Sequence, residues 1–378
     1  MIGKRVGVIG GGQLAWMMAA EAQKLGIKLV VQTPNRDDPA VSRADEVIFA
    51  DIDDFAGTVK LAQYSDVVTF ENEFVDLKAL HKVEKFGGDA KFYPHLSTLS
   101  PLLDKYDQRQ YLESIDVPVP KSSIYPTQEY IESNYGFPVV LKARRHGYDG
   151  QGTFIIKNTE DLAWLAKTVP IEELIVEKFI PFERELGIIA ARSISRDVAI
   201  YSVTETYQRN QVCHWTITPA NVAKEVELEV KAIARKILEK LDVVGVFGIE
   251  FFLTKDNRVL VNEIAPRTHN SGHYTLDGCE TSQFAMQLQA VTGMPLGSTA
   301  LKSAGAVMVN LLGFEESDSE YLEKRDRILQ IPNSFVHWYG KTSRPGRKLG
   351  HVTIVLNKEQ LSEAKSIIQE IESIWNEN

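Results

Sequence analysis

The sequence predicts an α/β protein that opens with a doubly wound parallel sheet, and three observations predict it. Short β-rich runs alternate with helical ones through residues 1–102. Further on, a glycine-rich loop joins two strand-like runs, and at 378 residues the chain is too long for one ordinary core. A prior of roughly 150 residues per domain gives two or three packed units. The expected division is 1–102, 103–300 and 301–378.

In the first unit the strand-like runs are Arg5 to Ile9, Lys28 to Gln32, Glu46 to Ala50 and Asp66 to Phe70, with a helical run from Gln13 to Leu25 after the first. β-Rich runs separated by helical ones are βαβ grammar. Lys91 to Pro101 reads as a closing strand and linker, and Asp104 to Ser114 as a helix. The prolines between Val117 and Pro120 break helical continuity and open the second unit. There, Pro138 to Ala143 and Thr153 to Ile156 read as strands on either side of the glycine loop. Leu174 to Thr218 holds several strands, Val222 to Leu241 an amphipathic helix, and Val246 to Ile264 a hairpin. The third unit has strands at Ala306 to Leu311, Ser334 to Tyr339 and His351 to Val355, then a closing helix.

A hydrophobic content of 44% and a charged content of 25% are those of a globular protein. The net charge of −9 would repel a nucleic-acid backbone, so nucleic acid is not expected as a partner. No apolar run approaches the ~20 residues that span a bilayer. The start, MIGKRVGVIGGGQL, goes straight into a strand and turn without a signal peptide's apolar stretch. Cys213 and Cys279 have no metal-like or disulfide-framework spacing. A cytoplasmic location is expected.

Gly10-Gly11-Gly12-Gln13-Leu14-Ala15 fits the G-x-G-x-x-G/A turn, in which glycines let a phosphate approach amides at a helix N-terminus. A dinucleotide site also wants an acidic residue at the end of the second strand, where this chain has Gln32, Thr33 and Pro34. A site for one phosphate is preferred over a dinucleotide site; a tight turn without a ligand stays open. The loop 146–152 places Gly147, Gly150 and Gly152 just after Lys142, Arg144 and Arg145, which suits a lid over a polyphosphate. A plain exposed hairpin is the alternative.

The most informative constellation runs from Glu250 to Glu263. With Asp256-Asn257 as a two-residue turn, Lys255 faces Arg258 and Glu250 faces Glu263. Carboxylates so opposed, ~5 Å apart at an effective dielectric near 20, repel by roughly 3 kcal/mol, and a divalent cation between them reverses the sign. Oxygen ligands completed by substrate phosphates suit Mg2+. A register slip by one residue is the alternative. Beyond the strand, Arg267 offers a planar fork for a small oxyanion and His269 a proton donor or acceptor. Lys341, Arg344, Arg347 and Lys348 crowd an otherwise acidic chain, with a proline and glycine between them, and suggest an anion pocket.

These pieces together resemble the N5-carboxyaminoimidazole ribonucleotide synthetase family of ATP-grasp enzymes. The resemblance covers nearly the whole chain and is carried by GGGQL (10–14), PAVSRADE (39–46), TFENE (69–73), KARRHGYDGQG (142–152), VEKF (176–179), NEIAPRTHNSGHYT (262–275) and GKTSRPGRKLGHV (340–352). It implies an ATP-grasp fold with a Rossmann-like pre-ATP-grasp domain before it and a small C-terminal domain after it.

For the nucleotide, the resemblance implies that Lys105 and Lys142 touch ATP and that Gly147, Tyr148, Asp149, Gly150, Gln151, Gly152 and Thr153 form a lid. Glu177, Lys178, Phe179 and Ile180 would line the adenine pocket, Glu185 would hold the ribose, and Gln208 and Asn262 would contact the nucleotide. Glu250 and Glu263 would bind the metal, two Mg2+ ions with ATP. For the second substrate, Gln13, Leu14, Arg344 and Arg347 would hold the phosphate of 5-aminoimidazole ribonucleotide, with Glu71, Tyr148, Asp149, Asn270 and Ser271 around the rest. Bicarbonate, and CO2 derived from it, would lie between Arg267, His269 and Lys341, with Asp149 as a further catalytic residue. The implied reaction passes through carboxyphosphate, and a homodimer is implied. Two positions depart from the family pattern: Ala15-Trp16 replaces Gly-Arg, and Gln208 replaces a histidine. Competing readings are another ATP-grasp ligase using formate, a nicotinamide-dependent oxidoreductase, and a binding protein without catalysis.

Overall fold

The computed structural model describes residues 3–86, 88–125, 127–145 and 152–377. The first sheet contains β1 (Arg5–Ile9), β2 (Lys28–Thr33), β3 (Glu46–Phe49), β4 (Val67–Phe70) and β5 (Lys91–Phe92), all parallel in the order β3-β2-β1-β4-β5. Its strands are apolar on both sides because helices cover both. Val6, Val8 and Leu29 pack with Met17, Met18 and Ala22 of helix Gln13–Leu25, while Ile9 and Val30 pack with Leu61 and Leu80 on the other face. The order reverses between β1 and β4, so the crevice at their carboxyl ends is where such sheets bind ligands.

The segment expected as strand and linker, Lys91 to Pro101, is strand only at Lys91–Phe92. Leu96, Leu99 and Leu102 recur every third residue and are all buried, so the rest winds into the helical turns Leu96–Leu99 and Ser100–Leu102. The helix Lys105–Ser114 begins at Asp104, whose carboxylate accepts from the amides of Tyr106 and Asp107.

A small antiparallel sheet follows, in the order β6-β9-β7-β8: β6 (Ser122–Ile124), β7 (Val139–Ala143), β8 (Thr153–Ile156) and β9 (Leu174–Lys178). The large sheet holds β10 (Phe182–Arg192), β11 (Val198–Ile200), β12 (Thr204–Arg209), β13 (Val212–Thr218), β14 (Gly245–Thr254), β15 (Val259–Ala265), β16 (Gly305–Leu312), β17 (Ser334–Trp338) and β18 (Lys348–Leu356). Its path is β15-β14-β10-β12-β13-β16-β18-β17, with β11 on β10. The C-terminal strands therefore extend this sheet: β16 pairs with β13 through Trp215↔Val309 and Thr218↔Ala306.

Helix Lys224–Lys240 buries Val226, Val230, Ile233, Ala234 and Ile237, one stripe at helical spacing, against β10, β14 and β15. The closing helix Ala364–Asn376 buries Ile367, Ile368, Ile371 and Trp375 against β16 and β18 in the same way. The first unit is not isolated, because Phe284, Leu288 and Val291 of helix Gln283–Thr292 share a core with Met17 and Met18. Among the described residues no helix is long and apolar enough to cross a membrane.

Candidate active site

Where the two later sheets meet the carboxyl ends of β1 and β4, the fold leaves a cleft of about 700 Å³. Its walls include Lys142 of β7, Thr153 of β8, Glu185 of β10, Gln208 of β12, Glu250 of β14 and Glu263 of β15. Lys105, Glu177, Lys178, Phe179, Ile180 and Asn262 also line it, as do Gln13, Leu14, Glu71, Arg267, His269, Asn270 and Lys348. Residues from all three expected units thus converge on one space. Of the expected lid, Gly147, Tyr148, Asp149, Gly150 and Gln151 lie outside the described residues; Gly152 has φ +79° and its carbonyl accepts from the Ala143 amide at 2.6 Å.

The carboxylate pair is present, but by a different route from the expected turn. The hairpin loop has three residues, Lys255-Asp256-Asn257: Asn257 N–H donates to Thr254 O at 2.9 Å and Thr254 N–H to Arg258 O at 3.0 Å. Asn257 has φ +60°, the left-handed residue that completes a type I turn plus bulge. The near half of the ladder is consequently one residue off the two-residue reading, with Leu253 on Val259 and Phe251 on Val261. A β-bulge then inserts Asn262, and the pairing returns to Glu250↔Glu263.

The inserted Asn262 points its Oδ1 at Lys142 Nζ, which donates at 2.9 Å. Lys105 Nζ lies 2.8 Å from Glu263 Oε1. Burial raises the Glu250 carboxyl to about 7, helped by the Glu263 charge, with Lys105 and a Gln208 hydrogen bond pulling the other way. Burial also raises Glu263, but the charge and hydrogen bond of Lys105 outweigh it and leave it lowered. Glu185 rises to about 8, by burial and then by the Glu250 charge. Carboxyls that hold protons near neutrality for want of positive charge fit a cation site. Among the described residues no group of three or more His, Cys, Asp or Glu could hold a metal by itself, so two protein oxygens with phosphate and water completing the shell is the arrangement that fits Mg2+.

Behind this pair lies a buried ionic knot. Arg109 Nε donates to Glu177 Oε1 at 2.6 Å, Lys142 Nζ lies 2.8 Å from Glu177 Oε2, and Arg109 Nη2 donates to Asn262 O at 2.5 Å. Burial pushes the Glu177 carboxyl up, yet the Arg109 and Lys142 charges and hydrogen bonds overcome it and hold it at about 2. Arg109 was not among the expected site residues. Its signal was available: it sits three positions before Leu112 on the buried face of its helix, an unusual place for a charge.

At the other end of the cleft the glycine turn behaves differently from expectation. The amides of Gly12 and Leu14 donate to Glu71 Oε2 and Oε1 at 2.6 and 3.2 Å, so a protein carboxylate already caps this helix N-terminus. A β-carbon at Gly12 would meet that carboxylate, so any larger residue there would have to displace the Glu71 cap. Side chains are left to attract a phosphate: Lys341, expected beside bicarbonate, instead donates from Nζ to Gln13 Oε1, and exposed Arg344 and half-buried Arg347 follow in the same loop. Burial lowers Lys341 to about 8, against the Glu71 charge.

Arg267 is held by Glu73 through two hydrogen bonds, Nε to Oε2 at 2.5 Å and Nη2 to Oε1 at 3.1 Å. The His269 ring accepts at Nδ1 from the Ser271 amide at 3.4 Å and has Ser271 Oγ at 2.9 Å, which leaves the proton on Nε2, 3.7 Å from Glu250. Burial lowers His269 to about 4, so the ring is neutral at pH 7. Ser271, expected at the substrate, is buried and orients His269 instead. Asn270 lines the cleft, but its amide is exchanged with Asn310, donating at 3.0 Å and accepting at 2.8 Å. Glu73 and Asn310 are further residues the sequence reading missed; Glu73 lies in a bend past the end of β4, where no strand or helix period marks it.

Comparisons with known proteins bear on the family and the fold. The ribonucleotide synthetase preATP-grasp domain matches residues 3–100, the ATP-grasp domain 110–284, and the phosphoribosylaminoimidazole carboxylase C-terminal domain 306–365. N5-carboxyaminoimidazole ribonucleotide synthase of Synechococcus elongatus is 50% identical over 380 residues, 98% of this chain and 95% of that protein. The structure of the Thermotoga maritima N5-carboxyaminoimidazole ribonucleotide synthetase superposes with a TM-score of 0.87 at 38% identity, covering 98% of each chain. That of the Aspergillus clavatus N5-carboxyaminoimidazole synthase, in complex with ADP and 5-aminoimidazole ribonucleotide, gives 0.91 at 30% identity, covering 99% of each. The chain belongs to the N5-carboxyaminoimidazole ribonucleotide synthase family of ATP-grasp enzymes.

Proposed function

We propose that this protein carboxylates 5-aminoimidazole ribonucleotide with bicarbonate at the expense of ATP, giving N5-carboxyaminoimidazole ribonucleotide, ADP and phosphate in purine biosynthesis. The observation that carries the reading is the convergence, in one cleft, of the paired carboxylates Glu250 and Glu263 with Lys142, Arg267 and His269. The curated relatives do not favour the formate-using alternative.

ATP lies along β7, β8 and β9, its base beside Lys178, Phe179 and Ile180 and its ribose at Glu185. Lys105 and Lys142 neutralise phosphate oxygens. Glu250 and Glu263 would hold Mg2+, as two ions, which would supply further charge for the transferring phosphoryl group. A bicarbonate oxygen attacks the γ-phosphorus while the bond to ADP breaks, giving carboxyphosphate. Arg267 and His269 hold its carboxyl end, where a neutral His269 donates from Nε2 without adding charge. Carboxyphosphate splits its C–O bond into CO2 and phosphate, and a closed site limits reaction with water. The ribonucleotide, its phosphate at Gln13, Lys341, Arg344 and Arg347, adds its amine nitrogen to CO2 and loses a proton, leaving a carbamate. Glu71 keeps the glycine turn in shape beside it. A homodimer in the cytoplasm completes the reading.

The test is phosphate release with ATP, Mg2+, bicarbonate and 5-aminoimidazole ribonucleotide, omitting each in turn. Full release is expected only with all four. Release indifferent to the ribonucleotide would overturn the assignment.

A further inference from the structure

The segment after β4 reads Glu71-Asn72-Glu73 and bends away from the strand, sending its two carboxylates to different partners. Glu71 caps the glycine turn of its own unit, whereas Glu73 reaches a residue 194 positions away, Arg267. Both partners of that pair are mostly buried, at 17% side-chain exposure each. Glu73 takes Arg267 Nε and one hydrogen of Nη2, and Thr268 O takes one of Nη1 at 3.1 Å. A guanidinium has five N–H groups, so among the described residues two are left over, one on each terminal nitrogen. Those donors are available to a small anion such as a carboxylate or carbonate.

Arg267 also feels the charges of Glu263 and Glu71. Without an anchor, its guanidinium would be drawn to Glu263, where it would neutralise an oxygen that the cation needs. We propose that Glu73 is a positioning residue for bicarbonate: by clamping one edge of Arg267 it keeps the guanidinium off Glu263 and presents the two remaining donors to the anion. The inference rests on the function proposed above, and it assigns Glu73 no contact with any substrate.

The experiment compares the full-length wild type with Glu73→Gln in KM for bicarbonate, ATP and 5-aminoimidazole ribonucleotide. Glutamine keeps the size but sets an NH2 against one of the Arg267 donors. The expected result is a rise of about tenfold in KM for bicarbonate, with the other two KM values within about twofold. A merely structural pair would raise all three together or none, and either pattern would overturn the inference. Should Glu73→Gln fail to fold, Glu73→Asp, too short to meet both nitrogens, is read the same way. Bicarbonate-independent turnover by the wild type would instead sink the functional reading itself.

Discussion

Lys105 Nζ lies 2.8 Å from Glu263 Oε1, on the very carboxylate that stands across the hairpin from Glu250. A lysine charge thus stands on one of the two carboxylates proposed to hold divalent cations. Glu263→Gln removes a proposed cation ligand and leaves Lys105 unpaired but within reach of water, at 15% exposure. Turnover is expected to fall by about 100-fold or more, with the thermal midpoint within a few degrees of wild type. Activity assays beside a melting curve check this; near-normal turnover would place the cation elsewhere.

The raised Glu250 carboxyl predicts a pH effect on cation binding. It holds a proton below about 7, and a cation needs it ionised, so Mg2+ affinity should fall by up to about tenfold per unit below that pH. The stability sign runs the other way without metal. Between the ordinary value of 4.5 and about 7 the folded chain binds a proton the unfolded chain lacks, so stability contributed by this group declines as pH rises through that window. Mg2+ titrations at pH 6 and 8 decide the first point, and urea melts without metal the second.

Glu177 is predicted to be a stability residue as well as a wall of the adenine pocket. Glu177→Gln strands Arg109 and Lys142 as buried charges short of a counter-ion, and the loss should be about 3–5 kcal/mol. Urea denaturation measures it. Arg109→Met together with Glu177→Met should recover part of that loss, because the uncompensated charge, not the missing pair, is what costs most.

Lys341 is expected to make ribonucleotide binding pH-dependent. Its ammonium, lowered to about 8 by burial, attracts phosphate only while protonated, so KM for the ribonucleotide should climb above that pH. Lys341→Gln should raise KM at pH 7 by about tenfold and flatten the profile. An unchanged profile would show that Arg344 and Arg347 do this work alone.

Much of this was legible in the sequence. The βαβ alternation located β1 and helix Gln13–Leu25 to the residue, because a helix or strand covered on known faces writes its period into its own residues. Motif strings gave the family, and the family gave most of the cleft. The Glu250–Glu263 pair was legible too, though two unread features cancelled: a loop of three residues displaced the register by one, and the bulge at Asn262 displaced it back. Turn length and bulges depend on backbone dihedrals that residue patterns mark only weakly.

What the sequence by itself determined is the order of the elements, the polar residues clustered at their ends, and the acidic net charge. Only the tertiary structure decided which of those residues are spent on one another. Glu71 fills the helix terminus meant for phosphate, Asn310 takes up Asn270, Glu73 grips Arg267, and Arg109 pins Glu177 beneath Lys142. Each of these partners comes from a distant part of the chain, and a hydrogen-bonding side chain carries no local mark of whether its partner will be a ligand or another residue. Burial forces every such group to find one, and only the packed fold says which.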